Sequence, residues 1–234
     1  MLNRLFRNNS RSQTQLPRRV LTAIEQQQES SEILIGWLQL TVVGAFAVLY
    51  AISPKPYDSE TVVASEPFFL RGYVLFTVIR LALAHSRKLP NWLVYVSIVI
   101  DMMLLLALIW SIHIKYQQPA SFYLKVPTLL YIFIFIALRA LRYDVRHVVL
   151  AGMVAALGWL MMVLYVIQVD PSDPMITNHY VEYMTSNSVL LGAEFDKIIS
   201  IIMVTGILAI AIFRANRCLT GANLTLVLEM PIMP

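Results

Sequence analysis

Charge is what this sequence has least of. Of 234 residues only 14% are Asp, Glu, Lys or Arg, 58% are hydrophobic, and the mean hydropathy is +0.67. An ordinary soluble domain carries about 25% charged residues. In a chain this apolar the net charge of +4 reads as topology and not as a nucleic-acid footprint. Cysteine is nearly absent: Cys218 stands alone, which excludes an internal disulfide and any CxxC metal or redox pair. Soluble-enzyme motifs are missing too, with no GxGxxG, P-loop, GxSxG or HExxH. No His, Cys and acid set stands at zinc-ligand spacing. The first thirty residues are polar and basic without a short apolar core and small-residue cleavage site, so no removable signal peptide is expected.

What the chain does have is apolar length. Six blocks, at about 32–52, 67–85, 91–112, 122–139, 147–168 and 189–213, approach the roughly 20 residues that cross ~30 Å of hydrocarbon. The connections are mostly short and carry turn formers, as in "SPKPYDSE", "SRKLPN" and "RYDVR". Short connections make sequential helices antiparallel neighbours. The expected fold is therefore all-α: an integral membrane six-helix bundle over 32–213, preceded by a basic cytoplasmic arm (1–31) and followed by a cytoplasmic tail (214–234). Within the arm, Val20, Leu21 and Ile24 lie beside a polar face. They fit either a short interfacial helix or a solvated arm next to anionic lipid.

Basic residues set the orientation. Twelve Arg and Lys fall on one side: Arg4, Arg7, Arg11, Arg18, Arg19, Arg87, Lys88, Arg139, Arg142, Arg146, Arg214 and Arg217. Three fall on the other: Lys55, Lys115 and Lys125. That bias puts both termini in the cytoplasm. Trp37, Trp92, Trp110, Tyr165, Tyr180 and Tyr183 lie near span ends, where aromatic belts form.

Five ionisable residues fall inside spans: Arg80, Asp101, Glu194, Asp196 and Lys197. Each is costly in a bilayer unless paired or hydrated. The rise of ~1.5 Å per residue brings Asp101 and Lys197 to similar depth, with Arg80 within reach. Asp101–Lys197 and Asp101–Arg80 pairs are both allowed, and Glu194 and Lys197 form an i,i+3 pair. Such pairs either fix helix register, or couple a signal, or, for the three residues of span six, lie at the headgroup level. No row of acids and no interrupted helix pair suggests a pump. His85 and His147 fall at the inner ends of spans two and five and are the candidate axial ligands for a haem b. A histidine at a span end is ordinarily interfacial. The eleven methionines are most simply packing residues.

Three stretches carry a resemblance. "IGWLQL…LYAISPK", "FYLKVPTLLYIFIFIALRALRYDVRHVVLAGMVAALGWLMMVLY" and "EYMTSNSVLLGAEFDKIISIIMVTGILAIAIFRANR" look like the six-span membrane region of bacterial class III adenylate cyclases, from about Glu32 to Arg217. The resemblance implies a membrane anchor and dimerisation module in the bacterial inner membrane. Its sixth helix would pass a signal to a cytoplasmic domain that makes cyclic AMP from ATP. After Arg217 only "CLTGANLTLVLEMPIMP" follows, so no catalytic residue carries over, and Gly221 is expected to interrupt the tail helix. The expected partners are the lipid bilayer, a second copy of the chain and an unidentified ligand. A different reading makes the chain an accessory subunit of a larger membrane complex, docking through the apolar stretch Leu224 to Met233.

Overall fold

The computed structural model describes residues 31, 33–45, 47–48, 52, 65–85, 91–115, 118–169 and 176–229. The basic arm with Val20, Leu21 and Ile24, the loop residues Lys55, Arg87, Lys88, Asp170 and Asp173, and residues 230–233 of the apolar tail lie outside them. The fold is all-α. Its elements are α1 (Ile33–Ala45), then α2 (Ser65–His85), α3 (Asn91–Lys115), the single turn α4 (Ser121–Leu124), α5 (Leu130–Ala140), α6 (Val145–Val169), the short α7 (Tyr180–Thr185) and α8 (Leu191–Glu229). One isolated bridge, between Ile176 and Val189, is the only strand-like pairing among the described residues.

Three helices among the described residues are long and apolar enough to cross a membrane, over Trp92–Ile114, Val145–Val169 and Leu191–Cys218. Ile33–Ala45 and Pro127–Ala140 are shorter apolar helices. Helices suit this composition because lipid offers backbone N–H and C=O groups no partner, and a helix satisfies them within one segment.

The helices α3 and α6 supply much of the core. On α3 the fully buried apolar residues are Ile98, Met102, Leu105 and Ile109; on α6 they include Val148, Ala151, Ala155 and Trp159. Both sets recur at spacings of three and four, one face of a helix. The opposite faces are also apolar yet exposed: Met153, Leu157, Met161 and Leu164 on α6, and Ile199, Ile202, Met203, Ile207 and Ile210 on α8. Helices apolar all round, with more than half of each span outside the buried core, fit a lipid solvent. Against α6, α8 packs closely; a Cβ added at Gly152 would overlap the side chain of Thr205. Gly152 is there to let the two backbones approach.

Two local features depart from the expectation. The block at 122–139 is not one helix. Pro127 supplies no N–H and pushes the preceding residue out of the helical region. Val126 is accordingly extended at φ −77° and ψ 137°, and a 3-10 turn (Pro127–Leu129) leads into α5. The last helix, conversely, is longer than expected. Gly221 does not interrupt the tail: α8 runs unbroken to Glu229. One interior glycine costs a helix only about 1 kcal/mol relative to alanine, too little to stop a long one.

The turn between α5 and α6 is tight. Its backbone closes through Leu141 to Leu138, Arg142 to Arg139 and Tyr143 to Ala140, and Tyr143 takes the left-handed conformation at φ 56°. The Asp144 carboxylate then accepts the backbone N–H of Arg146 at 3.0 Å and starts α6. Asn216 of α8 donates to the Tyr143 carbonyl at 2.8 Å, so α8 is fastened to this end of the bundle.

Candidate functional site

Among the described residues, two clusters of polar side chains inside the bundle stand out. The first is centred on Asp101, about 15 Å along α3 from Asn91. It is fully buried and gathers residues from three other helices. Gln39 of α1 donates through Nε2 to its Oδ1, and also to the Tyr73 hydroxyl of α2 at 3.0 Å. Arg80 of α2 donates to Asp101 Oδ2 at 3.1 Å and to Gln39 Oε1 at 2.8 Å. Arg139 of α5 donates to the same Oδ2. One carboxylate thus accepts donors from α1, α2 and α5 while sitting on α3. Charge-assisted bonds of this kind are about twice as strong as neutral ones.

Arg139 is the notable member. It lies one residue from the end of α5. An arginine there ordinarily extends its long stem toward the headgroups. Instead its side chain is 3% exposed and paired with Asp101. The expectation that Arg139 is a topology-setting loop residue is corrected: the attraction of a buried carboxylate outweighs the pull of the interface.

The second cluster lies at the start of α8. The Lys197 ammonium donates to Glu194 Oε1 at 2.6 Å and to the Leu124 carbonyl at 2.6 Å. Trp159 of α6 donates its indole N–H to Glu194 Oε2 at 3.0 Å. The same ammonium sits 5.4 Å from the centroid of the Trp159 ring, within cation–π range. Glu194 is 1% exposed. Both carboxylate oxygens are used, one by a cation and one by an N–H dipole, so the buried acid is fully matched.

Beside it, Lys125 donates to the carbonyls of Tyr183 and Ser186, each at 2.5 Å, and lies 4.7 Å from the centroid of the Tyr183 ring. These carbonyls belong to the C-terminal end of α7, where a cation is favoured by the unsatisfied backbone dipoles.

Of the five charges singled out by sequence, the structure brings Arg80 to Asp101 and Glu194 to Lys197. It does not bring Asp101 to Lys197, because the lysine is engaged by Glu194 and Leu124. Asp196 is exposed, on the other side of α8 from Glu194. His85 is exposed at the end of α2. His147 is buried, 3.4 Å from the Asp144 carboxylate, with its ring stacked on Tyr95 at 4.9 Å. Among the described residues no group of three or more His, Cys, Asp or Glu is placed to hold a metal ion.

Gln39, Tyr73, Arg139, Trp159 and Lys125 are the cluster members that sequence reasoning missed. Gln39 had a signal: it is a lone amide in the apolar run "IGWLQLTVV". Trp159 had none, since an interior tryptophan reads as packing until its N–H partner is known.

No protein-family model matches the chain, and no curated protein or solved structure is significantly similar to it. What bears on function is therefore the two clusters and the helix that leaves them.

Proposed function

We propose that the chain is a six-span signalling module of the bacterial inner membrane, with both termini cytoplasmic. It would anchor and dimerise an adenylate cyclase-like protein and pass a signal along α8 to a cyclase domain. The observation that carries this reading is α8 itself. A continuous helix of 39 residues is about 58 Å long, nearly twice the hydrocarbon thickness. It starts at a buried charge cluster, is fastened beyond its middle by Asn216 to the Tyr143 turn, and continues past Arg214 and Arg217. A rigid rod held at two levels and projecting beyond the membrane is suited to carry rotation or translation. Its exposed apolar stripe, Phe195, Ile199, Ile202 and Ile210, is where a second copy would pack.

The Asp101 cluster has a different task in this reading. It ties α1, α2, α3 and α5 into a fixed body against which α8 moves. The other cluster contains the only α8 side chains among the described residues that form an ion pair inside the bundle, and is the point at which movement is biased.

The test is a chimera with a soluble cyclase domain joined after Glu229, with one to seven alanines inserted at the junction. Output of cyclic AMP that rises and falls with helical phase supports the proposal. Output indifferent to phase, or recovery of the chain only with stoichiometric foreign subunits, contradicts it.

A further inference from the structure

Two lysine-to-carbonyl contacts near the start of α8 meet at consecutive residues, Leu124 as acceptor and Lys125 as donor. Lys197 of α8 donates to the carbonyl of Leu124; Lys125, the next residue, donates to the end of α7. Residues 121–126 therefore form a strap between α8 on one side and the 176–190 segment on the other. The strap is itself held down: the Tyr123 hydroxyl donates to the Met162 carbonyl of α6 at 2.8 Å, and Tyr123 and Leu124 are buried.

The 176–190 segment is a small body with its own bonding. Thr177 donates its backbone N–H to the Val189 carbonyl at 3.1 Å and its hydroxyl to Glu182 at 2.6 Å. The N–H of His179 is accepted by the Thr177 hydroxyl at 3.0 Å, and the N–H of Ser186 by the Glu182 carbonyl at 2.9 Å. Tyr183 faces inward at 7% exposure, whereas Tyr180, Val181 and Met184 are 64%, 75% and 63% exposed. A segment so tied together moves as a unit, and its contact with Lys125 fastens its C-terminal end.

We infer that 176–190 is the input element of the bundle, a cap whose docking through Lys125 is coupled by the strap to the Lys197–Glu194–Trp159 cluster on α8. Lifting the cap withdraws two carbonyls from Lys125. The strap relaxes, the Leu124 carbonyl leaves Lys197, and the ammonium resettles on Glu194 and the Trp159 ring. This deepens the proposed function and rests on it for the sense of signal flow. The mechanical coupling is independent of any cyclase and is measured without one. Thermodynamic linkage makes it reciprocal: loss of the Lys197–Leu124 bond must also loosen the cap.

The experiment uses the full chain in lipid nanodiscs, labelled with 5-fluorotryptophan, with the Trp159 resonance assigned by Trp159→Phe. Lys125→Met is expected to raise amide exchange at Thr177, Tyr183 and Ser186 by about tenfold or more. It should also shift the Trp159 fluorine resonance, whereas Lys125→Arg retains both wild-type signals. Lys197→Met should raise exchange at the same three amides, and this arm reads the coupling even if Lys125→Met fails to fold. A cap that loosens while the Trp159 resonance stays put overturns the inference. So does unchanged cap exchange in either methionine variant. If the coupling is present but the chimera's output ignores helical phase, the proposed function fails and the coupling stands.

Discussion

Replacing Asp101 by asparagine keeps its shape and removes its charge. The side chain is fully buried and accepts from Gln39, Arg80 and Arg139. The substituted amide would still offer one carbonyl oxygen, but the two guanidiniums would lose the carboxylate they share. Breaking a buried pair by removing one partner costs about 3–5 kcal/mol. For a chain of this length each kcal/mol moves the melting temperature by about 2–4 °C, which puts the loss near 10 °C. Thermal unfolding followed by circular dichroism in nanodiscs measures it. A second variant separates charge from packing: Asp101→Leu with Arg80→Met, Arg139→Met, Gln39→Leu and Tyr73→Phe removes the whole network. Apolar replacement of buried ion clusters is often neutral or stabilising, so this variant should melt at or above wild type. If Asp101→Asn melts within about 2 °C of wild type, under 1 kcal/mol, the carboxylate does not hold the four helices together.

Two further outcomes follow from the packing of α6 and the turn before it. Gly152→Ala inserts a Cβ into the Thr205 side chain and should cost about 1–3 kcal/mol; Thr205→Gly in the same chain should recover most of it, read by thermal unfolding. Tyr143→Gly relieves a left-handed residue and should stabilise the chain by about 1 kcal/mol; a loss of stability would show that the half-exposed tyrosine ring contributes more than its backbone strain costs.

The legible part of the site was the part with short sequence separation or a simple level argument. Arg80 lies about 7.5 Å and Asp101 about 15 Å from the connection between α2 and α3, and in an antiparallel hairpin the long arginine side chain spans the difference. Glu194 and Lys197 needed only helical spacing. Arg139 was hidden because a cation at a helix end has two destinations, the interface or a buried acid, and the choice depends on which helix packs alongside. Lys197 posed the same ambiguity: depth alone allowed Asp101, and the adjacent Glu194 and Leu124 carbonyl prevailed. Hydropathy averages over about twenty residues and so passed over Pro127, whose effect on Val126 is a backbone event. The reverse error arose at Gly221, where a breaker of modest strength met a long, already nucleated helix. Lys125 looks like a plain loop charge in the sequence because its partners are carbonyls, which carry no side-chain signature there.

The central claim is that the charge cluster at the start of α8 sets the state of the helix that leaves the membrane. Cyclic AMP output of the cyclase chimera, compared among wild type, Glu194→Gln, Lys197→Met and Asp101→Asn at matched membrane expression, tests it most directly. Glu194→Gln and Lys197→Met are predicted to shift output in the same direction while the chain still dimerises, because both break one ion pair. Output unchanged in both Glu194→Gln and Lys197→Met, whatever Asp101→Asn does, would contradict the claim.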